Sequence, residues 1–110
     1  MNTFRELRYF IAKNGKAPAE DWIENLRDRK GAAIIRVRLD RLAHSNPGDH
    51  KAIGENLWEL RIHFGSGYRI YYGIDNKEKL VVLLYGGNKK TQVEDIKKAR
   101  EYWNSYRSEK

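Results

Sequence analysis

The sequence predicts an α+β fold in which two N-terminal helices pack on an antiparallel sheet, in the order strand-helix-helix-strand-strand-strand-helix. Three observations carry that expectation. Residues 57–64 and 68–72 alternate in character around Gly65-Ser66-Gly67, the two-residue period of a half-buried hairpin. Residues 80–85 are continuously apolar, as in a strand covered on both faces. Ile35, Leu39 and Leu42 recur at helical spacing ahead of Pro47-Gly48, which cannot continue a helix.

In chain order, Phe4, Leu7, Tyr9 and Ile11 alternate loosely around Arg5 and Arg8, so residues 3–11 read as a first strand, closed by the Asn14-Gly15-Lys16 turn signal. Pro18 suits the first turn of a helix, and Glu20 and Asp21 complement its N-terminal dipole. Trp22, Ile23 and Leu26 supply its buried stripe, and it is expected to end near residues 29–31. A second helix starts at Ala32 and ends near residues 44–46, forming an antiparallel hairpin with the first. Arg36, Arg38 and Arg41 fall between its apolar positions, as on a solvated face. Residues 49–56 read as a connecting loop.

In the following hairpin, the three-residue glycine turn sets Phe64 against Tyr68, Ile62 against Ile70 and Leu60 against Tyr72. His63 then opposes Arg69, and Arg61 opposes Tyr71. Trp58, Leu60, Ile62 and Phe64 share an apolar face, and Glu59, Arg61 and His63 share the other. Residues 80–85 belong in the middle of the sheet, ended by Gly86-Gly87-Asn88. Thr91-Gln92-Val93-Glu94 is a capping-box pattern for a last helix reaching about Tyr106, with Val93, Ile96, Arg100 and Trp103 along its stripe.

At 110 residues, with 40% hydrophobic content, the chain fits one domain, 1–110. It has no cysteine, which excludes disulfides and thiolate metal sites. Arg5, Glu6 and Arg8 interrupt any N-terminal signal segment, and no apolar run approaches the roughly 18 residues of a membrane span, so a cytoplasmic protein with no membrane partner is expected. His44 and His50 form no metal-ligand pattern, and no phosphate-loop or dinucleotide signature implies a cofactor. A net charge of +7 and a pI near 9.7 favour an anionic partner, nucleic acid first.

The residues able to act on such a partner gather on the polar face of the hairpin. Arg61 and Arg69 can clamp a phosphate with planar forks of donors. Lys89 and Lys90 leave the buried strand through two glycines and sit at the edge of the same face. Glu59 and His63 can move protons, and Tyr71 and Tyr85 can stack on a base or donate a hydrogen bond. RNA cleavage by its own 2′-hydroxyl needs that hydroxyl deprotonated, the phosphorane stabilised and the leaving 5′-oxygen protonated, which an acidic group, basic clamps and a proton donor provide together.

Residues 57–72, with Trp58-Glu59-Leu60-Arg61 and Gly67-Tyr68-Arg69-Ile70-Tyr71-Tyr72, resemble the RelE/ParE superfamily of toxin–antitoxin toxins, more closely its HigB-like branch of addiction-module killer proteins. Residues 83–92, with Gly86-Gly87-Asn88-Lys89-Lys90-Thr91-Gln92 and then Asp95, Ile96 and Ala99, are similar to that branch's tail. The run from Asp21-Trp22 through Leu26-Arg27-Asp28 to Arg41-Leu42 is similar as well. The resemblance implies a small toxin with two helices on an antiparallel sheet. RelE-like members are ribosome-dependent endoribonucleases that cut mRNA in the A site, whereas ParE-like members inhibit DNA gyrase on a similar fold, and the fold alone does not choose between them.

By position, Arg69 matches the third-strand arginine that RelE-type toxins use on the phosphate. Arg61 falls near their second-strand basic residues, and Lys89 and Lys90 match the basic pair after the last strand. Ile96 stands where RelE-type toxins carry a catalytic tyrosine, a departure that leaves the proton-transfer groups open. The expected partners are the ribosome, mRNA and a cognate antitoxin of the helix-turn-helix kind, with an acidic helical segment to cover the basic face.

Overall fold

The computed structural model describes residues 4–109; Thr3, placed in the first strand above, lies outside them. In chain order the elements are β1 (Glu6–Tyr9), α1 (Pro18–Glu24), α2 (Arg29–Ala43), β2 (His50–Gly54), β3 (Leu57–Ile62), β4 (Tyr68–Asp75), β5 (Leu80–Asn88), a 3-10 turn (Lys89–Thr91) and α3 (Gln92–Ser108). The five strands form one sheet in the order β1-β5-β4-β3-β2. The α+β class and the two helices on the sheet are as expected, with two corrections. An additional strand, β2, lies within the stretch read as a loop. The sheet is mixed, because β1 runs parallel to β5 while the other pairs are antiparallel. β2 carries an irregularity between Ala52 and Gly54 and mostly exposed side chains, so backbone pairing, not apolar patterning, makes it a strand.

The helices follow local chemistry. Pro18 opens α1, with Glu20 and Asp21 in its first turn. The expected end of that helix at residues 29–31 is instead the start of α2, because Asp28 caps it by accepting from the Gly31 amide at 2.9 Å. The second carboxylate oxygen of Asp28 accepts from the Tyr68 hydroxyl at 2.6 Å, which ties the helix to β4. α1 packs on β5 and β1, and α2 packs on β1.

The β3–β4 hairpin is shifted by two residues from the expected register: Ile62 pairs with Tyr68, Arg61 with Arg69, Leu60 with Ile70 and Glu59 with Tyr71. The loop spans five residues, 63–67, with positive φ at Gly65 and Gly67. An even shift keeps every side chain on its expected face. Leu60, Ile62, Ile70 and Tyr72 meet Ile23 of α1 and Ile35, Leu39 and Leu42 of α2 in one buried cluster. On the opposite face, Leu57, Leu80, Val82 and Leu84 meet Phe10 and Trp103. Trp58, expected in the core, is half-buried at its margin.

α3 turns inward only part of the stripe expected of it. Trp103 is buried as expected, but its buried companions are Asp95 and Ala99, whereas Val93 is 79% exposed and Arg100 is exposed. Trp103 sets this rotation: its ring lies over Gly73, where an added Cβ would come within 2.3 Å, and its indole donates to the Glu55 carbonyl at 3.0 Å. The expected Thr91 cap is also corrected. Asn88 caps the 3-10 turn through the amides of Lys90 and Thr91, and the Thr91 hydroxyl is spent on Asp95 and the Asn88 carbonyl. β5 does not end at residues 86–88 as expected, because these pair with Ile70, Arg69 and Tyr68 of β4; Gly86 makes room for Trp22, 2.4 Å from where a Cβ would stand.

Substituting Gly73→Ala is expected to lower stability by about 1–3 kcal/mol, since the displaced ring is buried. Urea denaturation measures it, and an unchanged midpoint would contradict the close packing of Trp103 on β4.

Candidate functional site

The site grows from the polar face of β3 and β4. Alternation places Glu59 and Arg61 on β3 and Arg69 and Tyr71 on β4 toward α3, and the register sets the two arginines directly opposite one another. Facing like charges repel unless something lies between them. Glu59 fills that role: it is fully buried, Oε1 accepts from Arg61 Nε at 3.0 Å, and Oε2 accepts from Gln92 Nε2 at 2.7 Å. Arg69 Nε lies 3.9 Å from the same Oε2. Removing a carboxylate from water costs several kcal/mol unless donors replace the lost hydration, and these three groups replace it.

The two guanidiniums differ in access. The Arg61 side chain is 29% exposed and the Arg69 side chain 8%. Arg69 Nη1 donates to the Gly67 and Tyr68 carbonyls at 3.3 Å each, while its Nε makes no hydrogen bond. Lys89 reaches the mouth of this cluster: a Cβ placed on Gly67 would lie 3.4 Å from Lys89 Cβ and 3.6 Å from Arg69 Nη1. Lys90 follows on the same exposed turn.

Tyr71 is completely buried, which leaves its ring no open face for a base. Its hydroxyl has no hydrogen-bond partner of standard geometry among the described residues. Burial, then the Glu59 and Asp95 carboxylates, push the phenol well above its ordinary range. His63 does not join the cluster. With the register shifted, it lies in the loop beyond β3, exposed, and its ring is held by Asp49. Arg38 also departs from the expected solvated face: it donates to the carbonyls of Arg61 at 2.7 Å, Pro47 at 2.7 Å and Asp49 at 3.1 Å, and so braces the end of β3.

Two members of the site come from α3 and were not anticipated. Gln92 supplies the amide bond to Glu59. Asp95 sits directly over Gly87, where a Cβ would come within 1.8 Å of its Oδ2, and is bonded by Thr91. The glycine at 87 was the available signal, since a residue without a side chain in a buried strand marks a close approach. Glu59 and Asp95 balance Arg61 and Arg69 charge for charge, so the positive surplus here comes from Lys89 and Lys90 at the rim.

Burial, partly opposed by the Thr91 hydroxyl, raises the Asp95 carboxyl above its ordinary range. The native state therefore holds that proton more tightly than the unfolded chain, and ionisation at neutral pH works against folding. Relative to Asp95→Asn, the unsubstituted protein is expected to gain stability as the pH falls from 7 through the raised value. Urea midpoints of the two across that range test it, and a constant difference would contradict the burial argument.

Comparison with known proteins places this chain in a family. A Haemophilus influenzae protein described as uncharacterized is 42% identical over 81 residues, covering 74% of this chain and 81% of that protein. Among solved structures, the toxin–antitoxin complex RelBE2 from Mycobacterium tuberculosis contains a chain with the same fold. The match has a TM-score of 0.55 and 20% identity, and covers 77% of this chain and 98% of that one. The model of the Gp49-like phage-derived proteins matches residues 20–104, and the chain belongs to that family.

Proposed function

We propose that this protein is the toxin of a toxin–antitoxin pair and that it acts as a ribosome-dependent endoribonuclease on mRNA. The observation that carries the reading is the pairing of Arg61 and Arg69 across adjacent strands, around Glu59, with Lys89 at the mouth. Two donor-rich guanidiniums on a rigid sheet suit a phosphodiester that gains charge in its transition state. Lys89 and Lys90, together with the exposed part of Arg61, take the RNA backbone. Arg69 lies deeper and meets the scissile phosphate.

Glu59 holds donors on both oxygens, which fits a carboxylate that orients the arginines. Tyr71, kept protonated by burial and two nearby carboxylates, is poorly suited to take a proton. Of the two candidates for proton donor, Tyr71 and His63, Tyr71 is the one inside the cluster, opposite Glu59. His63, held by Asp49, serves at most the periphery. Because Arg69 is so little exposed, a phosphate reaches it only when the substrate is pressed into place. That agrees with a site completed by the ribosome, which orders the mRNA strand. A solved structure sharing this fold is a toxin–antitoxin complex, which supports an antitoxin partner. An acidic helical segment would cover the lysine rim.

Inducing the protein in cells and mapping mRNA 5′ ends by primer extension tests the activity. New ends are expected with the unsubstituted chain and a loss of about 100-fold or more with Arg69→Ala, the scale of removing one transition-state donor. Growth arrest with intact transcripts, accompanied by inhibition of gyrase supercoiling by the purified protein, would replace this reading with the ParE-like one.

A further inference from the structure

β1 is much shorter than its neighbour. Its pairing with β5 ends at Tyr9 and Leu83, and the last bond across the pair runs from the Phe10 amide to the Leu83 carbonyl at 2.9 Å. The chain then turns away through Ala12 and Lys16, whose amide and carbonyl close at 2.8 Å. Past Tyr85, no strand among the described residues lies beside β5 on that side. The notch so formed is an open cavity of about 610 Å³ between the β1–α1 turn, α1, β5 and α3.

Aromatic rings from three separate elements line this notch: Trp22 of α1, Tyr85 of β5 and Tyr102 of α3. Their placement is fixed by packing. Trp22 is pressed on one side against the Gly86 backbone and meets Tyr68 edge-on at 5.8 Å. Tyr85 and Tyr102 meet edge-on at 5.9 Å, and Tyr102 is backed by Phe10 at 5.1 Å. All three are half-buried, each keeping surface toward solvent. Lys16 and Arg27, both exposed, stand at the rim. Asn14, Asn25 and the Asp21 carboxylate complete it with groups that can meet the amino and carbonyl edges of a heterocycle.

The notch adjoins the cluster described above. Tyr85 is the cross-strand partner of Tyr71, and Gly87 is the partner of Arg69, so Tyr85, one wall of the notch, lies diagonally across from Arg69 of the candidate phosphate site, about 7–8 Å away. We propose that the notch is a nucleobase subsite: an unstacked base of the RNA strand inserts between Trp22, Tyr85 and Tyr102, while Lys16 and Arg27 hold its phosphate. Rigid aromatic walls with a cationic rim are how single-stranded nucleic acid is held, because every base has a π-face and a phosphate is never far from it. An aromatic side chain of a protein partner would use the same walls but would bring no phosphate to the rim, where the Asp21 carboxylate offsets only one of the two cations, Lys16 and Arg27. The inference rests on the reading of this protein as an RNA-cutting toxin.

The experiment follows the Trp22 indole and the Tyr85 and Tyr102 ring resonances of the purified protein by NMR. The probes are the four nucleoside monophosphates, inorganic phosphate and N-acetyltryptophanamide. Saturable shifts with one or more nucleotides, absent with phosphate, are expected. Tyr85→Ala should weaken binding about tenfold or more, the effect of losing one base–aromatic stack, while Tyr85→Phe should bind as the unsubstituted protein does. Equal shifts with phosphate alone, or shifts only with the tryptophan analogue, would overturn the base subsite. Unaltered resonances while Arg69-dependent mRNA cleavage persists would overturn it and leave the proposed activity standing. Nucleotide binding without mRNA cleavage would do the reverse.

Discussion

The fully buried carboxylate of Glu59 is the constraint from which the rest of the site follows. Placed on the polar face of β3, it sits where Arg61 and Arg69 are forced together by the hairpin register, and it divides its two oxygens among them and Gln92. Three elements, β3, β4 and the start of α3, therefore meet at one side chain. In water such pairs contribute little. Inside the fold, a missing partner leaves a charge or an amide without hydration, so the geometry is held by the cost of its alternatives.

Around that point the sheet is buried on both faces, but unequally. α1 and α2 close one face with aliphatic side chains of both helices. The other face is closed by α3 alone, seated by Trp103 over Gly73 and by Asp95 over Gly87. A single helix cannot cover five strands, and the polar cluster occupies ground that α3 only partly shields. The apolar body of the fold and the polar site thus share one surface, divided along the length of one helix.

Much of the fold was legible in the sequence because period-two and helical spacing report which side chains face inward. They placed Ile23, Ile35, Leu39, Leu42, Leu60, Ile62 and Ile70 correctly. Alternation leaves the register open to any even shift, and here the loop takes five residues where three suffice. The pairing of Arg61 with Arg69 and the departure of His63 were therefore beyond its reach. β2 escaped because an edge strand with exposed side chains carries no apolar signal. The parallel pairing of β1 with β5 joins distant parts of the chain and leaves no local mark. In α3, the apolar residues suggested one stripe, but the helix is rotated by Trp103, so Gln92 and Asp95 face the site and Val93 faces water. Where tertiary contacts compete with local pattern, the contacts win.

The parallel pairing of β1 with β5 also bears on how the protein is made. Glu6 finds its partner at Leu80, so the first strand waits for nearly the whole chain before it can dock, and such long-range closure is slow. During synthesis, β5 and the start of α3 emerge after the β3–β4 hairpin. The arginine centre of the nascent polypeptide therefore lacks the Gln92 brace on Glu59 until the start of α3 has emerged.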